Sequence, residues 1–486
     1  MEAKDLIALA LLLLAIPMGI LVATFSQRAR DVAFFLMVAG TVVTDRLDVN
    51  FLSQYWYRGT SRGLEFSFVD LLAISIFAGS FLKPRPGESR CYWPASFGLM
   101  LAFFLYASFS VIFSEPRMYG VFELSKMVRG FFFFLAAAFY VRSEREVGIL
   151  VLALCSAVCF QGVWALKQKL IGGIYRAPGT LEHENSLSMY ICLVAPIFVA
   201  AATSSLPRLL RMLSIAAIGA AALCSVLTIS RAGIPIFALV MLGATAFCVS
   251  WRITPKKVFA TALIGLCIAG LSFKMWDSLK ERYAEATFAD EYLDDQQEGR
   301  GYYFRVAKVI VEDKFFGVGL NNWSFWVSKK YGAMVGRPYD DYGNLHINEP
   351  DDQTLENLVW AAPAHNLAAL TVGELGVPGL ILFTLLWLRW FQMGFRFLFN
   401  RTPQAMHRLG VGLFFCLCGI FLHSLTEWTF RQPHIFLTFN ILIGTLASLC
   451  YVKSQVREPA VEAAAICEFT EDPVPETAYT KAQPCV

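Results

Sequence analysis

The residues of this chain that could do chemistry cluster where polar sequence meets apolar sequence. His365 stands in Pro363-Ala364-His365-Asn366, where the long polar segment 276–366 gives way to an apolar run. An imidazole titrates at about pH 6.5, so a histidine there suits proton transfer to or from a lipid-borne substrate. Arg231 lies in Thr228-Ile229-Ser230-Arg231-Ala232-Gly233, where two apolar runs meet with almost no loop between them. An arginine at a helix centre costs about 2.5–3.5 kcal/mol on insertion scales, and less near the interface. Arg231 therefore reads either as a snorkelling anchor or as a phosphate ligand, because the guanidinium fork matches phosphate oxygens and stays charged.

Two further stretches offer cations. Arg176 precedes Asn185 and Ser186, which read as N-cap residues of the next helix. A helix N-terminus beside an arginine suits an anion, although an ordinary capped loop reads the same way. Arg300 and Arg305 flank the start of another predicted helix; five residues apart, they point about 140° away from each other. Only one can face a shared site, and Arg300 is the better placed. Glu374 lies nine residues after His365, half a turn out of phase on a regular helix. It reads as a support for its own helix, or for an arginine elsewhere, and not as the partner of His365.

The elements that must position these residues follow from composition. The chain has 486 residues, 56% hydrophobic and only 16% charged, with a mean hydropathy of +0.53. Soluble domains carry about 25% charged residues, so the expected fold is an all-α polytopic membrane protein. A net charge of +3 without a basic stripe argues against nucleic acid as a partner. With about 20 apolar residues needed per span, helices are predicted near 6–25, 31–44, 67–82, 92–113, 121–141, 147–168, 187–203, 212–230, 232–250, 258–275, 367–390, 409–427 and 434–452. The stretch 45–66 is ambiguous, which gives about 12–13 spans. The first of them reads as a transmembrane helix, since it lacks the basic start and cleavage site of a signal peptide.

The domain reading is a transmembrane bundle over 1–275, a large polar loop over 276–366, closing helices over 367–452 and a disordered tail over 453–486. Basic residues fall in alternate short loops, which puts those loops and the tail in the cytoplasm. The segments carrying Arg176, Arg231, Arg300 and His365 then share the opposite side. Within the polar loop, 276–288 and 302–313 read as helices, the second with Tyr303, Val306, Ala307 and Ile310 on one apolar face. Asn321-Asn322-Trp323 opens another short helix. The 12 cysteines lie mostly in apolar runs with no metal-ligand spacing. The acidic pairs Asp294/Asp295, Asp340/Asp341 and Asp351/Asp352 read as solvated loop, so no metal and no cofactor are expected.

Together these residues resemble the bacterial O-antigen ligase and O-antigen polymerase superfamily of multi-helix inner-membrane glycosyltransferases. The similar elements are Gly179, Thr180 and Asn185 with Pro196 downstream; Ser230-Arg231; Arg300…Phe304-Arg305-x-Ala307; Phe316-Gly317-Val318-Gly319; and His365-Asn366…Glu374-Leu375-Gly376…Gly379. The resemblance implies a glycan donor on polyprenyl diphosphate, commonly undecaprenyl diphosphate, in the bacterial inner membrane, with the active site facing the periplasm. It assigns Arg231 and Arg300, helped by Arg176, to the diphosphate, and makes His365 the base for an acceptor hydroxyl. Asn185, Arg305, Asn366 and Glu374 support them. Ligase-type transfer to lipid A-core is the leading expectation. Polymerase-type transfer to another lipid-linked glycan, transfer to protein, and, in another class, a lipid-linked sugar flippase are the alternatives. A flippase would favour repeated halves and ionisable groups at midplane, and the chain shows no internal repeat.

Overall fold

The computed structural model describes residues 3–46, 48–54, 57–85, 92–249, 300–339, 360–399, 402–430 and 432–469, with isolated positions between 255 and 284. The predicted helices 258–275 and 276–288 and the three acidic pairs lie outside the described residues. Helices dominate. In order they are α1 (Ala3–Phe25), α2 (Gln27–Gly40), α3 (Phe68–Leu82), α4 (Phe97–Ile112), α5 (Arg117–Tyr140), α6 (Glu144–Leu170), α7 (Glu184–Ala202), α8 (Arg208–Thr228), α9 (Gly233–Cys248), α10 (Arg300–Asp313), α11 (Trp323–Trp326), α12 (Leu367–Phe395), α13 (Ala405–Ser424) and α14 (Pro433–Phe469). Six of them (α6, α7, α8, α12, α13 and α14) are long and apolar enough to cross a bilayer, and four more described helices are apolar but shorter. The all-α membrane architecture stands.

Three differences from the sequence reading bear on the site and the tail. The ambiguous stretch 45–66 contains an antiparallel hairpin, β1 (Asp48–Phe51) with β2 (Leu64–Ser67), Asp48 opposite Ser67. α13 stops at Ser424 rather than 427, which frees 425–430 as a loop. α14 runs on to Phe469, past the boundary at 452.

Alternate connections meet on opposite faces, as the basic residues require. On one face Lys453 Nζ donates to Arg396 O at 2.6 Å, Ser205 N to Pro403 O at 2.8 Å and Arg85 Nη2 to Tyr140 O at 3.2 Å. On the other, Asn321 Nδ2 donates to Ser61 O in the hairpin at 2.9 Å and to Tyr119 O at 2.8 Å. Thr180 Oγ1 donates to Val42 O at 2.6 Å, and Arg300 Nε to Thr426 O at 3.1 Å. The four predicted site segments share this second face.

The hairpin is fixed to the bundle by charge. Arg129 on α5 donates to Asp70 at 2.9 Å and Glu65 at 2.9 Å and lies 3.4 Å from Asp48; its side chain is 6% exposed. Removing one partner of a buried ion network leaves the others uncompensated, at about 3–5 kcal/mol. Arg129→Ala is accordingly expected to lower the thermal unfolding midpoint in detergent sharply, whereas Arg145→Ala, whose side chain is 60% exposed beside Asp31, should change it little.

A break in α12 docks α10 and α11. Gly376 has φ +67°, and a Cβ there would stand 2.1 Å from Phe315 O. Interrupting the helix frees carbonyls that the incoming loop satisfies: Val318 N donates to Gly373 O at 3.0 Å and Gly319 N to Glu374 O at 2.8 Å. The apolar face of α10 then buries Tyr302, Val306, Ala307 and Ile310 with Trp323, Ala369 and Leu370. That face matches the predicted periodicity except that Tyr302 is buried and Tyr303 only partly so.

Candidate active site

His365 immediately precedes the cap of α12. Asn366 is extended at φ −159°, and its side chain accepts from Ala369 N at 2.9 Å, so the helix begins one residue after it. The other end of the Asn366 amide donates to Leu425 O at 2.8 Å. This bond draws the α13–α14 loop against the start of α12 and brings Glu427 to His365. His365 Nδ1 and Glu427 Oε2 are 2.7 Å apart. The ring stacks on Trp428, with centroids 4.4 Å apart and planes at 24°, and has Tyr303 at 5.7 Å on α10.

Glu427 is the hub. Its other oxygen accepts from Asn185 Nδ2 at 3.0 Å and lies 3.8 Å from Arg300 Nη2, and its side chain is 9% exposed against 34% for His365. Burial pushes the Glu427 carboxyl up, but the hydrogen bond and charge of His365, with Arg300 and His423, outweigh it and hold the group below the ordinary glutamate range. An ionised Glu427 can accept from Nδ1–H of His365, and in the neutral imidazole that tautomer leaves the Nε2 lone pair for a substrate. Because its folded value is depressed, Glu427 contributes stability above the unfolded glutamate range and loses it as pH falls through the depressed value.

The arginines gather beside this pair. Arg176 Nε donates to Thr228 O at 3.0 Å and Nη2 to Asn185 Oδ1 at 2.9 Å, and the same guanidinium pairs with Glu184. Arg231 follows a tight turn in which Ile229 adopts φ +48° and Gly233 N donates to Ser230 Oγ at 3.2 Å. Arg176, Arg231 and Arg300 line one cavity of about 410 Å³, with Asn185 and Glu427 in its wall. Two of these guanidinium groups pair with carboxylates, Arg176 with Glu184 and Arg300 with Glu427, and together the three present the forks that match phosphate oxygens.

Asn185 and Glu427 also form part of a second, larger polar cavity of about 1460 Å³, into which His365, Trp428 and the β1–β2 hairpin face. A third cavity, of about 930 Å³, is mainly apolar; it runs among α4, α5, α12 and α14 and shares Thr60 and Trp428 with the second. The histidine–glutamate pair therefore stands between an arginine-lined pocket and a polar one, next to an apolar cavity.

Other predicted positions fall elsewhere. Arg305 is not among the residues lining the arginine cavity, whereas Arg300 is. Glu374 is buried away from His365, where Oε1 accepts from Trp323 N at 3.3 Å and so holds the start of α11. The cap of α7 is His183, whose Nδ1 accepts from Asn185 N at 3.1 Å. Asn185 thus sits inside the first turn, its amide directed to Arg176 and Glu427 instead of the helix end. Glu427 and Trp428 were missed because 409–427 reads as one span. A glutamate at the edge of an apolar run is itself a functional signal. Among the described residues no group of three His, Cys, Asp or Glu side chains is placed to hold a metal.

Fold and site define a multi-pass, all-α membrane protein with a histidine–carboxylate pair beside an arginine-lined pocket. Residues 215–384 match a family model described as O-antigen ligase. The match takes in Arg231, Arg300 and His365 and leaves Arg176, Asn185, Glu427 and the hairpin outside it. No curated protein sequence matches the chain.

Proposed function

We propose that the protein transfers a glycan from a polyprenyl diphosphate to an acceptor hydroxyl, as an O-antigen ligase-type enzyme acting at the periplasmic face of the bacterial inner membrane. The observation that carries this reading is the His365–Glu427 pair at 2.7 Å in the wall beside the three-arginine cavity. His365 Nε2 takes the proton of the acceptor hydroxyl while its oxygen attacks the anomeric carbon. The new carbon–oxygen bond forms as the bond from that carbon to the diphosphate oxygen breaks, and the electron pair leaves with the diphosphate. Glu427 orients the ring and balances the imidazolium. Arg231 and Arg300, with Arg176 behind them, stabilise the departing charge, the part a metal plays in many nucleotide-sugar transferases. The apolar cavity among α4, α5, α12 and α14 suits a lipid chain of a membrane-borne substrate.

The test is transfer by the purified protein in lipid discs from a polyprenyl-diphosphate oligosaccharide, offered in turn a lipid A-core and a second lipid-linked glycan. Arg231→Ala and Arg300→Ala should each cut the rate by about 10²–10³-fold, the usual cost of losing one charge-stabilising group. Chelator should leave wild-type transfer intact. Full activity in both arginine variants, or loss with chelator and rescue by magnesium or manganese, would refute the cationic-clamp mechanism.

A further inference from the structure

The large polar cavity on the hairpin side of His365 has a chemistry different from the arginine pocket. Among the described residues its lining includes the carboxylates Asp48, Glu65, Glu182 and Glu427, with Arg62 and Lys126 as its arginine and lysine. Asp48 and Glu65 are already held by Arg129, and Lys126 by Glu123 at 3.1 Å. A phosphate entering here would meet more carboxylates than cations. What the cavity offers instead is uncharged polarity beside an indole. Asn50, on β1, and Gln432, at the entry to α14, are among the residues that form its wall. A side-chain amide carries no charge and can both donate to and accept from a sugar hydroxyl. Trp428, stacked on the catalytic ring, gives the same cavity an apolar face against which a pyranose can pack.

We propose that this cavity is the acceptor subsite, and that it selects an uncharged sugar through Asn50 and Gln432. The inference rests on the transferase reading above and adds to it the chemical class of the acceptor and two specificity residues. It separates the two substrates by charge: the diphosphate goes to the arginines, and a neutral hydroxyl-bearing sugar to the hairpin side.

The test uses purified full-length protein in lipid discs, a lipid-diphosphate oligosaccharide donor, and one glycolipid acceptor in neutral and sugar-phosphorylated forms. The neutral form should give at least about tenfold higher kcat/KM. Asn50→Leu and Gln432→Leu should each raise the acceptor KM about tenfold, the cost of about one hydrogen bond left unmade, with kcat and donor KM changed less than about twofold. Asn50→Asp keeps the side-chain shape and should widen the preference for the neutral acceptor even where a leucine variant fails to fold. Unchanged acceptor KM in the folded variants, or better use of the phosphorylated acceptor, overturns the subsite while leaving the transferase reading intact. No transfer by wild type to any acceptor overturns both.

Discussion

His365→Ala is expected to reduce glycan transfer by about 10²–10⁴-fold, the range of a lost general base, with the amount of protein in the membrane unchanged. The side chain is one-third exposed and lies before the helix cap instead of in the core, so its removal opens a polar wall and not a packing defect. Glu427 keeps its hydrogen bond from Asn185 and the nearby charge of Arg300, which limits the structural cost. His365→Gln sharpens the test, because an amide can still donate to Glu427 but cannot take a proton. Equal loss in both variants assigns the effect to basicity. Activity retained in the glutamine variant would remove His365 from proton transfer.

The second large effect is expected at Glu427. Glu427→Gln preserves volume and an oxygen for Asn185, yet it removes the charge that fixes the His365 tautomer and balances the imidazolium. In comparable triads that loss costs on the order of 10⁴-fold; a fall of about 10²–10⁴-fold in kcat is expected here, with donor KM changed far less. Kinetics of the purified variant check it. A change confined to donor KM would instead make Glu427 an organiser of Arg300.

Much of the site was legible in the sequence because membranes make charge informative. An arginine in a near-loopless turn and a histidine at the end of a polar segment are costly or conspicuous, so Arg231 and His365 stood out before any geometry. The alternation of basic loops put Arg176, Arg300 and His365 on one side, and the contacts of the described residues bring those segments together. Local periodicity gave the apolar face of α10. The partner of His365 was not legible, since Glu427 is 62 residues away and its loop hides inside a continuous apolar pattern. A second element can be recognised only when pairing is known, and the hairpin pairs within an ambiguous stretch whose charges are read by Arg129 from α5. Asn185 illustrates a subtler limit: its residue type fits a cap, and only the placement of His183 reassigns its amide to the site.

The most direct test of the account follows label from a radiolabelled glycan on polyprenyl diphosphate, using purified protein in lipid discs with a neutral glycolipid acceptor. The account predicts that label appears on the acceptor with one equivalent of polyprenyl diphosphate released per glycan moved. Both should be seen in wild type and be nearly absent in His365→Gln. Transfer at the wild-type rate by His365→Gln, or glycan loss by wild type without release of the diphosphate, would contradict it.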